Sequence, residues 1–129
     1  MKILIFLLTI FIPSTIFAEV YYCVERDSTG FDGTNNYERV DFNTNRFSVD
    51  IDFNNLSLSA PKIMIDTNLK GHVCSQDDGE IMQCINSWGF SFTINMRNLK
   101  FVKSAGLGYV YGQKSEDDLN VSYGQCELF

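Results

Sequence analysis

The sequence predicts an all-β domain, a small antiparallel meander closed as a barrel of about eight strands. Apolar and polar residues alternate along much of the chain after residue 18. Turn-forming residues recur about every eight to twelve positions, a spacing typical of all-β folds. No stretch of this region has the apolar period of an amphipathic helix. A barrel is preferred over a β-sandwich, the alternative, because closure removes exposed strand edges.

The clearest alternation lies in the middle of the chain. Residues 46–53 place apolar side chains on one face and polar ones on the other, which predicts a half-buried strand. The Asn-Asn pair that follows predicts a two-residue turn, so that Ile51 should face Leu58 in a hairpin. Residues 89–96 repeat the pattern. The expected inward positions are Phe47, Val49, Ile51, Phe53, Phe90, Phe92, Ile94 and Met96.

Shorter apolar stretches predict the remaining strands. In the last one, Val121 and Tyr123 share a face, whereas the next apolar positions, Cys126 and Leu128, lie on the other. This change of phase predicts a β-bulge near Gly124. Further strands are expected at 20–24, 63–65, 69–74, 81–85, 99–101 and 107–111.

The first eighteen residues, MKILIFLLTIFIPSTIFA, have the features of a secretory signal peptide. Lys2 precedes an apolar run that is too short to span a bilayer, which takes about 20 residues, and Ala18 is small enough for cleavage. We therefore expect a signal peptide at 1–18 and a single all-β domain at 19–129. The mature protein would be periplasmic or secreted, without a membrane anchor.

The chain is acidic, with sixteen acidic against ten basic residues and a net charge of −6. Such a chain should not bind nucleic acid by neutralising phosphates. Electrostatic steering would instead favour a cationic partner. The charge does not identify the partner, which could be a protein or a small ligand, because a net charge also keeps a protein soluble.

Four cysteines remain after the signal: Cys23, Cys74, Cys84 and Cys126. An even number in an exported chain indicates disulfides, and three pairings are possible. We favour Cys74–Cys84, which closes the local loop CSQDDGEIMQC. Cys23–Cys126 would then tie the two ends of the domain, and such a long closure strongly restricts the unfolded chain. Zinc is not expected, because paired C-x-x-C spacing and a second histidine are missing.

The stretch DSTGFDGTNN, at 27–36, is the main candidate for a binding loop. Its aspartates and glycines predict a long ordered loop after the first strand. Asp27 and Asp32 are candidate contacts, and Phe31 either plugs the barrel mouth or forms an exposed contact. Convergence of the two aspartates with Glu38 on calcium is an alternative. No metal is assigned, because the sixth position lacks the glycine of a helix–loop–helix site.

No catalytic constellation is evident. His72 is the only histidine, and no nucleophile motif accompanies it. Asp50 and Asp52 share a strand face at a spacing of about 6.6–7 Å, which would suit glycoside hydrolysis but is also the ordinary solvent face of a strand. We therefore expect a non-catalytic domain without a cofactor. Trp88 either packs at the core or rim, or stacks on a ligand.

The segments YYC, DSTGF, CINSWGFSF and YGQCELF resemble those of small exported proteins of marine alphaproteobacteria. That resemblance implies an exported, disulfide-bearing domain and no particular activity.

A second resemblance is to the periplasmic inhibitors of C-type lysozyme, which are small β-barrels that open with a Tyr-x-Cys strand. Tyr21–Cys23 fits that opening, and Ser104–Tyr109 resembles the inhibitory loop, with Ala105 inserted and Gly108 in place of a basic residue. This resemblance implies inhibition of a cationic hydrolase, with Ser104 and Tyr109 as candidate contacts. A small glycan hydrolase is the third hypothesis.

Overall fold

A computed structural model describes residues 19–53, 55–59, 71–106, 109–110 and 118–129 of the chain. In these ranges, one antiparallel sheet contains nine strands, and a short 3-10 turn, Gly33–Asn35, follows the first of them. No helix of this part is long and apolar enough to cross a membrane. The strands are β1 (Glu19–Asp32), β2 (Glu38–Asp41), β3 (Arg46–Asp52), β4 (Ser57–Ser59), β5 (His72–Asp77), β6 (Ile81–Ile85), β7 (Ser91–Asn95), β8 (Lys100–Ala105) and β9 (Leu119–Leu128).

Eight of the strands close into a barrel. Each of β3 to β8 pairs with the next strand in sequence, and β1 pairs with both β3 and β9. The remaining strand, β2, pairs with the second half of β1 and takes no part in the closure. The prediction of a closed antiparallel barrel is therefore confirmed, and the sandwich alternative is not.

The barrel interior is filled by side chains from opposite walls. The Phe92 ring stacks on Phe101 at a centroid distance of 5.5 Å, and Phe47 meets the edge of both. Burial of each large apolar side chain stabilises the fold by about 1.5–3 kcal/mol. At the rim of this core, burial raises the pKa of the Tyr21 phenol, whose hydroxyl donates a hydrogen bond to Glu19. The other buried apolar residues are Cys23, Val49, Ile51, Leu58, Cys74, Met82, Cys84, Ile94 and Cys126.

Both expected disulfides are present, Cys23–Cys126 and Cys74–Cys84. Each joins residues that lie directly opposite each other on neighbouring strands, with Cα atoms 3.9 and 4.0 Å apart. Both bonds are buried in the core. Two disulfides indicate an oxidising, extracytoplasmic compartment.

The first strand is much longer than predicted. It continues past residues 20–24 to Asp32, so the prediction of a long loop that begins at Asp27 is wrong. A bulge between Glu25 and Asp27 interrupts the ladder with β9, after which pairing resumes as far as Phe31. The loop-like composition was misleading, because two neighbouring strands satisfy the backbone of this polar segment.

The bulge lies in β1 and not, as predicted, at Gly124 of β9. Strand β9 alternates without interruption, and Val121 and Tyr123 point outward. Gly124 is nevertheless the residue that faces the bulge, because it pairs with Glu25. A Cβ atom at Gly124 would collide with the carbonyl oxygen of Val24 and lie 2.8 Å from the Phe101 ring.

The β3–β4 hairpin has the predicted register, with Ile51 opposite Leu58. The strands end at Asp52 and Ser57, however, so the turn is longer than the two residues predicted, and Phe53 is exposed. The strand predicted at 63–65 and residues 69–70 of the next lie outside the described residues.

The strand predicted at 107–111 is described only at Tyr109 and Val110. Neither residue belongs to a strand. Leu107 and Tyr111, on which the prediction also depended, lie outside the described part of the chain.

Candidate binding groove

A groove of about 650 Å³ opens on the barrel wall near one of its two ends. This end is formed by the β6–β7 turn, the end of β8, the start of β9 and the second half of β1. The described lining residues are mostly apolar or small, and none of them is a carboxylate. Asp50 and Asp52, the pair considered for glycoside hydrolysis, lie on β3 and do not line the groove.

Strand register places one row of outward side chains across the groove. Paired residues on neighbouring strands point to the same face of a sheet. Two members of the row, Ile85 and Val121, are 57% and 50% exposed. The hydroxyls of Ser91 and Ser104 lie between them and bond to each other at 2.7 Å. From β1 to β6 the row reads Thr29, Val121, Ser104, Ser91 and Ile85.

One wall of the groove is the hairpin formed by β1 and β2. Phe31 projects from it, with Leu119 of β9 on one side and Arg39 of β2 on the other. Asp32 ends the strand by accepting hydrogen bonds from the backbone and hydroxyl of Thr34, at 2.8 and 2.7 Å. Bonding from Thr34 lowers the pKa of the Asp32 carboxyl.

Two glycines of the groove lining occupy positions that disfavour a side chain. A Cβ atom at Gly30 would collide with the carbonyl oxygen of Leu119 and lie 2.8 Å from the Cα atom of Asn120. Gly89, in the β6–β7 turn, has a φ of 74°, a conformation that side chains disfavour. A larger residue at either position would strain the backbone that shapes the groove.

Of the six residues proposed as a binding loop, the structure brings two together. Phe31 and Ser104 both line the groove. Phe31 is 45% exposed on the groove wall and does not plug the barrel mouth. Trp88 is exposed beside Gly89, and its backbone N–H donates to the side chain of Asn86.

Like Trp88, the other three proposed residues do not line the groove. Asp27 lies at the bulge, where its carboxylate accepts a hydrogen bond from the backbone of Ser28. Asp32 is occupied with the turn that follows β1. Tyr109 is exposed and meets the ring of Tyr37 edge-on at 4.9 Å.

The calcium alternative gains no support from the geometry. Among the described residues, no group of three or more histidines, cysteines or acidic residues is arranged to hold a metal ion. Asp32 is bonded to Thr34, and the Glu38 carboxylate accepts a hydrogen bond from Asn35 at 3.1 Å.

Sequence reasoning missed a buried ion pair inside the barrel. Lys103 Nζ lies 2.5 Å from Glu25 Oε1, which also accepts a hydrogen bond from Ser122 at 2.8 Å. The second carboxylate oxygen accepts from the backbone of Asn45. Alternation alone could have placed both charges inside, because Glu25 is two residues from Cys23 and Lys103 is two residues from Phe101.

The fold and the groove show which architectural class the protein belongs to. It is a disulfide-bonded, eight-stranded antiparallel barrel with one additional strand and an apolar groove on its wall. No protein-family model, curated protein or solved structure matches the chain.

Proposed function

We propose that this protein is an exported, non-catalytic binding domain that holds a small, largely apolar ligand in its groove. The observation that carries the proposal is the groove itself. Its volume of about 650 Å³ falls within the range of about 300–1,000 Å³ typical of small-molecule sites, which are mostly apolar. The predicted signal peptide and the two disulfides support a periplasmic or secreted location.

Energetics favour a ligand on the groove wall. Phe31, Ile85 and Val121 leave large apolar surfaces exposed to water, and covering them gains about 25 cal/mol per Å². One of the neighbouring hydroxyls of Ser91 and Ser104 donates a hydrogen bond to the other, so an apolar ligand would cover both oxygens without breaking that bond. The barrel interior is packed with core side chains, which supports binding in the groove outside it.

Binding of the uncharged fluorescent probe N-phenyl-1-naphthylamine to the exported, oxidised protein tests the proposal. Val121→Gln places a polar group in the groove and should weaken binding about tenfold, the equivalent of about 1.4 kcal/mol. Val102→Gln is the matched control, because Val102 is similarly exposed on the outer wall, at 47% against 50%, but does not line the groove.

The control variant should bind the probe within about twofold of the wild type, since no contact is lost. An absence of probe binding, or equal effects of the two substitutions, would contradict the proposed site.

A second candidate function is inhibition of a cationic hydrolase such as C-type lysozyme. Ser104, in the stretch that resembles the inhibitory loop, lines the groove, and the chain has a net charge of −6. The candidate is tested by adding the protein at micromolar concentration to a lysozyme assay. Full lysozyme activity under these conditions would remove it.

A further inference from the structure

Among the described residues that line the groove, one is charged, Arg39 on β2. Arg39 lies directly opposite Phe31 in the β1–β2 ladder, so a cation stands beside the most prominent aromatic ring of the groove. The other lining residues in the described part of the chain are uncharged. The site therefore combines an apolar surface with a single positive charge at its edge.

The charge of Arg39 is not neutralised within the described part of the chain. Arg97 pairs with Glu80 at 3.0 Å, and Lys103 pairs with Glu25. Arg39 forms no such ion pair with a described carboxylate. In a protein with a net charge of −6, an unpaired arginine beside an apolar groove indicates an anionic ligand group, because its guanidinium matches carboxylate or phosphate geometry.

Nearby carboxylates are engaged elsewhere. Asp41, two residues along β2, accepts a hydrogen bond from Thr29 at 3.0 Å. Asp118 accepts from the backbone of Gly33 at 2.9 Å. Neither residue lines the groove, so an anion beside Arg39 would not need to displace a carboxylate from it.

The extra strand gives a further reason to assign a role to Arg39. Closure of the barrel needs β1 and β3 to β9, and β2 is not part of it. What β2 does achieve is to hold Arg39 against Phe31 at the edge of the groove. From Arg39 the groove crosses β1 and β9 to Ser104 on β8, three strand spacings or about 14 Å at about 4.8 Å per spacing.

We propose that the ligand is a single-chain amphiphile of the fatty-acid type, with its carboxylate on Arg39 and its alkyl chain along the groove past Phe31 and Val121. The length of this path suits a single acyl chain, since each leaflet of a bilayer core is about 15 Å thick. This inference rests on the proposed function and specifies the ligand class for the same groove.

Three probes with the same alkyl chain separate the head-group contribution from the apolar one. Dodecanoate, dodecyl maltoside and dodecyltrimethylammonium are titrated calorimetrically into the exported, oxidised protein below their micelle-forming concentrations. We expect dodecanoate to bind at least about tenfold more tightly than dodecyl maltoside, and the cationic probe to bind most weakly.

Substitution of Arg39 tests the assigned contact. Arg39→Gln should weaken dodecanoate binding about tenfold and change dodecyl maltoside binding by less than about twofold. Arg39→Lys should retain part of the preference for the anion, because a charge remains without the fork of donors. Arg97→Gln is the control, since this exposed arginine lies in the β7–β8 turn at the opposite end of the barrel.

Equal affinities for dodecanoate and dodecyl maltoside, unchanged by Arg39→Gln, would overturn this inference and leave the proposed function intact. The inference also fails if Arg39→Gln weakens all three probes alike, which would indicate a structural effect. Tighter, Arg39-dependent binding of an apolar peptide through its terminal carboxylate would replace the amphiphile. If no probe binds, and N-phenyl-1-naphthylamine does not bind either, both proposals fail.

Discussion

The two halves of β1 are continuous in sequence but have different neighbours and opposite arrangements of apolar side chains. The first half lies between β3 and β9, with Tyr21 and Cys23 buried in the barrel. The second half lies between β2 and β9, where Phe31 is exposed at the groove. The first half of β1 therefore contributes to the stabilising core, and the second half contributes to the candidate binding surface.

The bulge between Glu25 and Asp27 explains this difference. Before it, the odd-numbered positions of β1 point inward, and after it Ser28 is the buried residue. One extra residue in a strand reverses the faces of all that follow. Phe31 would therefore face the barrel interior in a regular strand, and the bulge turns it outward to the groove.

The largest expected loss of unfolding free energy comes from removing the Cys23–Cys126 disulfide, which joins the first half of β1 to β9. The Cys23–Cys126 bond closes a separation of 103 residues and Cys74–Cys84 one of 10. The loop-entropy model gives about 4.7 kcal/mol for the former and about 3 kcal/mol or slightly less for the latter. Urea unfolding of Cys23→Ala/Cys126→Ala and Cys74→Ala/Cys84→Ala should show this order, and equal or reversed losses would contradict it.

The junction between the halves depends on the ion pair of Glu25 with Lys103. Lys103→Met leaves a buried carboxylate without its cation and should lower the free energy of unfolding by about 3–5 kcal/mol. The double variant Glu25→Gln/Lys103→Met should recover most of that loss, because no buried charge remains. Denaturant unfolding of the four proteins of this cycle measures the coupling, and additive losses would show that the pair is not coupled.

Local patterns explain what could be predicted from the sequence. The alternation in β3 and β7 predicted the buried Phe47, Val49, Phe92 and Ile94 correctly, because a period of two depends only on nearest neighbours. The register of Ile51 opposite Leu58 followed from a short turn for the same reason. These elements, β3, β4 and β7, are three of the eight barrel strands.

The groove could not be predicted, because it depends on register between distant strands. Thr29, Ser104 and Val121 meet only when β1, β8 and β9 are aligned, and no local pattern indicates that alignment. The aspartates and glycines beyond the bulge predict a loop, although the segment continues as a strand to Asp32. Glu25 and Lys103 were missed because charged residues are rarely buried unless they are paired, and the partner cannot be read from local sequence.

The smallest expected effect lies at the end of the second half, where Thr34 donates two hydrogen bonds to Asp32. These bonds lower the pKa of Asp32 in the folded protein. Their stabilisation is therefore present above the carboxyl's unfolded pKa of about 3.9 and is lost as the pH falls through the lower, folded value.

Thr34→Ala removes the hydroxyl donor and should raise the pKa of Asp32 toward its ordinary value, as followed by an NMR titration of the carboxyl. Thr34→Ser retains the hydroxyl and should leave the pKa of Asp32 close to that of the wild type. Since the site is exposed, the unfolding free energy should change less than in either preceding experiment. An unchanged pKa in Thr34→Ala would show that the hydroxyl does not hold the end of β1, and the second half would then depend on its strand neighbours alone.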